Sequence, residues 1–121
     1  EFSALYVSGI LTLSELLNLV LFRNKIIKER QFSEKTTMIA ITNSDISSVI
    51  QLILDLKIKN LFPSNINSYK QIVYSGTVSA ISELKNKLDD EARGVVLNVN
   101  QGYHSPLMEN ASEKLKNYLM L

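Results

Sequence analysis

His104 is the only histidine in 121 residues, and so the only side chain whose ordinary pKa lies close to neutrality. Ser105 and Pro106 come directly after it. Serine suits an N-cap and proline the first helical position, so a helix is predicted to begin just after His104. The positive end of that helix dipole disfavours imidazolium, which leaves His104 in the neutral form that can accept a proton. The plainer reading is a surface or capping histidine. Arg23 is the second candidate. It lies at the edge of a stripe formed by Leu13, Val20 and Ile27, on a segment with few polar positions. A guanidinium there needs an anion, unless it snorkels or pairs with a neighbour. The absence of cysteine excludes disulfides, thiolate catalysis and Cys-ligated zinc, and a single histidine excludes a His-rich metal site. No Gly-x-Ser-x-Gly occurs anywhere in the sequence.

The elements that must position these groups come from a chain long enough for one domain with a modest core. Hydrophobic residues make up 45% and charged residues 21%, an ordinary globular balance. A net charge of +1 gives no electrostatic drive toward nucleic acid or an acidic membrane. The apolar stretches are broken by Ser14, Glu15, Asn18 and Arg23, too early for a membrane span, and no basic n-region precedes an apolar h-region. We expect a soluble domain of a reducing compartment. Glu1 opens the chain and Leu119-Met120-Leu121 ends it in mid-pattern, so both ends are expected to be cuts in a longer protein.

Residues 2–8 form a short apolar helix that stops at Gly9. Thr12 or Ser14 then caps a long helix running to about Arg30, with Leu13, Leu16, Leu17, Val20 and Ile27 on one stripe. Leu19, Leu21, Phe22 and Ile26 fall elsewhere on the wheel. A helix apolar nearly all round is usually buried in a larger protein. Residues 37–42 read as a strand ending at Asn43. Ser44 or Asp45 caps a helix carrying Ile46, Val49, Ile50 and Ile53 on one face. Residues 61–66 make a weak strand interrupted by Pro63, and residues 71–75 a clearer one. Gly76 is expected to turn the chain into a helix capped near Thr77, with Ala80, Ile81, Leu84 and Leu88 inward. Residues 95–99 form the last strand. A final helix begins after His104, with Leu107, Ala111, Leu115 and Tyr118 on its buried face. The order over residues 37–100 is βαββαβ, a ferredoxin-like arrangement.

Three stretches in order resemble the malonyl-CoA:acyl carrier protein transacylases. Glu1-Phe2-Ser3-Ala4-Leu5 is similar to the segment just after that family's Gly-His-Ser-Leu-Gly nucleophile elbow. Leu19-Val20-Leu21-Phe22-Arg23 resembles its leucine-valine-x-x-arginine helix. Asn98-Val99-Asn100-Gln101-Gly102-Tyr103-His104-Ser105-Pro106-Leu107-Met108 resembles its strand, aromatic-histidine pair and Ser-Pro-Leu-Met helix start. Between them, Asn65-Ile66-Asn67-Ser68 and Gln71-Ile72-Val73-Tyr74-Ser75-Gly76 resemble strands of the family's small subdomain. Some positions depart from the pattern. Asn24 stands for the usual glycine, Ile27 for a frequent methionine, Tyr69-Lys70 for Pro-Gly, and Tyr103 for the more usual phenylalanine.

The resemblance implies an α+β fold: a ferredoxin-like βαββαβ subdomain at residues 37–100, flanked by helices of an α/β-hydrolase-like acyltransferase core. Residues 1–36 would be core helices, and residues 101–121 the catalytic-histidine loop and the core helix after it. It implies ping-pong transfer of malonyl from malonyl-CoA to the phosphopantetheine thiol of acyl carrier protein, through an ester on a serine placed three residues before Glu1. On this reading His104 takes the serine proton, Arg23 holds the free malonyl carboxylate by a bidentate pair, Asn67 lies near the pocket floor, and Tyr103 narrows the pocket. The chain alone, without its serine, is expected to be inactive. No metal and no cofactor beyond these substrates is implied, nor any nucleic acid or membrane partner. The compartment would be cytoplasm in a bacterium or a plastid-type organelle in a eukaryote. An acyltransferase domain of a multifunctional fatty-acid or polyketide synthase would share these motifs. A non-catalytic ferredoxin-like binding module would share only the βαββαβ order.

Overall fold

A computed structural model describes residues 1–29, 34–89 and 91–120. Its elements are helices α1 (Phe2–Val7) and α2 (Leu13–Lys28), strand β1 (Thr36–Thr42), helix α3 (Ile46–Leu56), strands β2 (Leu61–Ser68) and β3 (Gln71–Thr77), helix α4 (Val78–Lys87), strand β4 (Arg93–Val96), a 3₁₀ turn at Pro106–Met108 and helix α5 (Glu109–Leu119). They form two compact units. One comprises Glu1–Gln31 with Glu109–Leu121; the other is Phe32–Met108. The loop carrying His104 groups with the sheet.

The sheet unit follows the βαββαβ order. Its four strands lie in the order β2-β3-β1-β4, and each neighbouring pair is antiparallel. Ile39 pairs with Tyr74 and Ile41 with Ile72, which puts all four side chains on one face. That face packs on Val49 of α3 and on Ile81 and Leu84 of α4, so both helices cover the same side. The local starts are as their chemistry requires. Asp45, not Ser44, caps α3 by accepting from the Ser47 N–H, and Thr77 caps α4 by accepting from the Ala80 N–H.

Three expectations change. Pro63 does not interrupt β2: the strand lies at the sheet edge, where a missing N–H costs little, and irregular register at Pro63/Asn65 and Ile66/Ser68 accommodates it. Gly76 is no turn. It pairs within β3 with Thr37 and Leu61, and a Cβ there would lie 2.6 Å from the Asn60 carbonyl oxygen. The last strand is Arg93–Val96 rather than 95–99. The Leu97 N–H still bonds to the Met38 carbonyl, but the Val99 N–H then bonds back to Leu97, curling the chain off the sheet edge.

In the other unit, α1 ends at Gly9 with φ of 77°. Thr12, not Ser14, caps α2 in a reciprocal box with Glu15, and the Thr12 N–H holds the Glu15 carboxyl below the usual range. Helix α2 ends at Lys28, and the expected end at Arg30 lies outside the described residues. It buries Leu19 and Ile26, with Phe22, Arg23 and, from the expected stripe, Leu16 and Ile27 half-buried. Leu13, Leu17 and Val20, on the stripe that periodicity marks as inward, are exposed. Helix α5 supplies the reason: Tyr118 stacks on Phe22 and Lys114 pairs with Glu29, so the partner rather than the apolar count selects the face.

Candidate active site

The second face of the sheet carries Met38, Ala40 and Val73. Leu97, Val99 and Tyr103 pack on it. Residues 97–105 therefore lie across this face, and hydroxyl groups rising from the strands pin them. Thr37 Oγ1 donates to the Val99 carbonyl at 2.9 Å. Thr36 Oγ1 accepts from the Gly102 N–H at 3.0 Å. Ser75, fully buried on β3, donates to the Tyr103 carbonyl at 2.6 Å. Gly102 is buried, and a Cβ on it would meet the end of the Leu107 side chain at 2.5 Å, so a larger residue there would require Leu107 to shift.

His104 comes next after the pinned peptide. It is exposed and holds φ of 54°, a left-handed conformation that few residues with a Cβ adopt, His among the more tolerant. Directly after it, Ser105 acts as the expected cap: its Oγ accepts from the Leu107 N–H at 3.3 Å and donates to the Gly102 carbonyl at 2.5 Å. The helix it opens differs from expectation. Pro106–Met108 is a single 3₁₀ turn, and α-helix begins only at Glu109. The structure supplies position: an exposed imidazole on a backbone held by four hydroxyl groups.

Of the remaining candidates, Asn67 and Arg23 lie on other elements. Tyr103 lies half-buried on the Met38, Ala40 and Val73 cluster. Asn67 is exposed at the tip of the β2–β3 hairpin, where its Nδ2 donates to Gln71 Oε1 at 3.1 Å. Gln71 and Ser75 are four residues apart on β3, so at roughly 3.4 Å per residue Asn67 stands far from the Tyr103 carbonyl. Arg23 belongs to the helical unit. It is half-buried on α2, and its guanidinium makes no hydrogen bond or ion pair among the described residues.

The residues that sequence reasoning missed are Thr36, Thr37, Ser64 and Ser75. One signal for them was present: a serine inside the apolar run Ile72-Val73-Tyr74 must find a partner when buried. An open hollow of about 440 Å³, lined in part by Lys85, Asp89, Glu91 and Arg93, lies by the Thr42 end of β1, opposite the Thr36 end that meets the histidine loop. Among the described residues no group of three or more His, Cys, Asp or Glu is placed to hold a metal, and no helix is long and apolar enough to cross a membrane.

Residues 1–120 match the family model for the acyl transferase domain. The chain is 33% identical over 98% of its length to one component of the polyunsaturated fatty acid synthase of Thraustochytrium sp., of which it spans 4%. It is 31% identical over 99% of its length to the malonyl CoA-acyl carrier protein transacylase of Buchnera aphidicola, spanning 39% of that protein. The crystal structure of the malonyl CoA-acyl carrier protein transacylase from Clostridium perfringens superposes with a TM-score of 0.83 at 27% identity, over 99% of this chain and 39% of that one.

Proposed function

The chain belongs to the acyl transferase domain family, and on that premise we propose that it is the middle part of a malonyl-CoA:acyl carrier protein transacylase. The observation that carries the reading is the match itself, which runs through residues 1–120 and includes both leading candidates, Arg23 and His104. The likeness to stand-alone malonyl transacylases over nearly the full chain supports it. The chain spans about 40% of those relatives, so the activity is a property of the whole protein.

In this reading a serine outside these residues attacks the malonyl thioester. The His104 imidazole accepts the serine proton as the new C–O bond forms, and returns a proton to the departing CoA thiolate. The phosphopantetheine thiol of acyl carrier protein then attacks the malonyl ester, giving its proton to His104, which passes it to the serine oxygen as the ester C–O bond breaks. Arg23 holds the distal carboxylate by two parallel N–H···O bonds, which an acetyl group cannot make. No cofactor takes part in either half-reaction. The sheet unit would be the family's ferredoxin-like subdomain; the strand order β2-β3-β1-β4 with two helices on one face supports that reading. Asn67 takes no part in the pocket in this proposal, because it stands at the hairpin tip.

A second reading is an acyltransferase domain of a multifunctional synthase, and the 33% identity to the Thraustochytrium synthase favours it. It shares the chemistry and differs in whether other domains adjoin. The test of the common mechanism is His104→Ala in the full-length parent. Transfer of malonyl from CoA to acyl carrier protein should fall by roughly 10²–10⁴-fold, while malonyl-CoA binding changes little. A folded variant with near-full activity would refute the assignment.

A further inference from the structure

We propose that Ser75, oriented by the Ser64 hydroxyl, is a positioning residue that sets the His104 backbone for proton transfer. The inference rests on His104 being the base. The peptide joining Tyr103 to His104 offers one carbonyl, and the Ser75 hydroxyl donates to it at 2.6 Å from a side chain with no solvent exposure. Ser75 has only one hydroxyl proton, so its oxygen remains as an acceptor. Ser64 fills that role, donating to Ser75 Oγ at 2.6 Å. The result is a directed relay of Ser64, Ser75 and the Tyr103 carbonyl, across β2, β3 and the histidine loop.

Local architecture provides for this relay. Pro63 pairs with Tyr74 and Asn65 with Val73, so Ser64 is the extra residue of a bulge, with no partner of its own on β3. A bulge re-aims the side chain it carries, and here it points a hydroxyl at the neighbouring strand. The loop in turn needs the anchor. His104 holds φ of 54° and has a Cβ, and such a conformation persists only where its surroundings over-determine it. The Ser75 bond fixes the peptide plane just before that residue, and the bond from Ser105 Oγ to the Gly102 carbonyl fixes the turn around it. Without the relay, the imidazole would sample orientations unfit to meet a hydroxyl nucleophile.

The experiment is steady-state transfer by the full-length parent carrying Ser75→Ala, Ser64→Ala, His104→Ala and the pair Ser75→Ala with His104→Ala, each with its melting temperature. Ser75→Ala should lower kcat on the order of tenfold, the effect of one buried hydrogen bond, and leave KM for malonyl-CoA unchanged. In the His104→Ala background it should cause no further loss, because a residue that acts through the imidazole has nothing left to act on. Should Ser75→Ala fail to fold, Ser64→Ala on the edge strand decides: it keeps the inner bond and should lower kcat by about threefold with an unchanged melting temperature. A wild-type kcat in the folded serine variants, or an equal loss with and without His104, would overturn the proposal. Near-full activity of His104→Ala would remove the base itself, and the relay's role with it.

Discussion

Phe22 and Tyr118 stack with their ring centroids 4.0 Å apart and their planes 15° from parallel, tying the long second helix to the last one across 96 positions of sequence. An aromatic pair contributes about 0.5–1.5 kcal/mol beyond the area it buries. Tyr118→Leu keeps an apolar body and removes the stack. It should destabilise the helical unit by about that amount in chemical denaturation, whereas Leu17→Ala, at an exposed position of the same helix, should have a smaller effect. Equal losses would mean that the stack has no special weight.

Gly76 tolerates no side chain. A Cβ would lie 2.6 Å from the Asn60 backbone oxygen, and backbone cannot swing aside as a flexible side chain can. Gly76→Ala should therefore cost roughly 1–3 kcal/mol, the range of an overpacked core. The measurement is the denaturation midpoint at constant slope.

Glu34 is exposed, and its carboxyl is held below its ordinary value of 4.5 mainly by hydrogen bonding from the Ser79 side chain, then by the Ser79 N–H at 2.9 Å. A depressed folded-state pKa means stability that is present above the unfolded value and lost as pH falls through the folded one. Stability measured from pH 6 down to about pH 3 should decline less in Glu34→Gln than in wild type, because the amide keeps an acceptor but does not titrate. Parallel curves would show that Glu34 is not linked to folding.

Arg23→Ala in the full-length parent should reduce malonyl transfer by the equivalent of about 2–4 kcal/mol in kcat/KM, the scale of losing one partner of a hydrogen-bonded charge pair. Acetyl transfer should be little affected, so discrimination between the two acyl groups should narrow. An equal loss with both would make Arg23 a structural residue of α2.

The cap of α4, those of α2 and α3 to a choice of two residues each, and most of the first three strands were legible in the sequence, because each depends on neighbours within a turn or on a two-residue alternation. His104 stood out by being alone, and Ser105, as the cap of the turn that follows, by the proline behind it. The buried face of α2 was not legible. Nine of its sixteen residues are Leu, Val, Ile or Phe, spread around the wheel, so periodicity favoured Leu13, Leu17 and Val20 while contact with α5 chose the side bearing Phe22. The early end of β4 and the purpose of Gly76 likewise depend on strands remote in sequence. Ser75 shows the limit most clearly. Its position in an apolar run announced that a buried hydroxyl would need a partner, yet that partner is a carbonyl 28 residues away. A hydrogen bond is decided by distance and direction in space, and only the folded chain brings the Tyr103 peptide within reach of it.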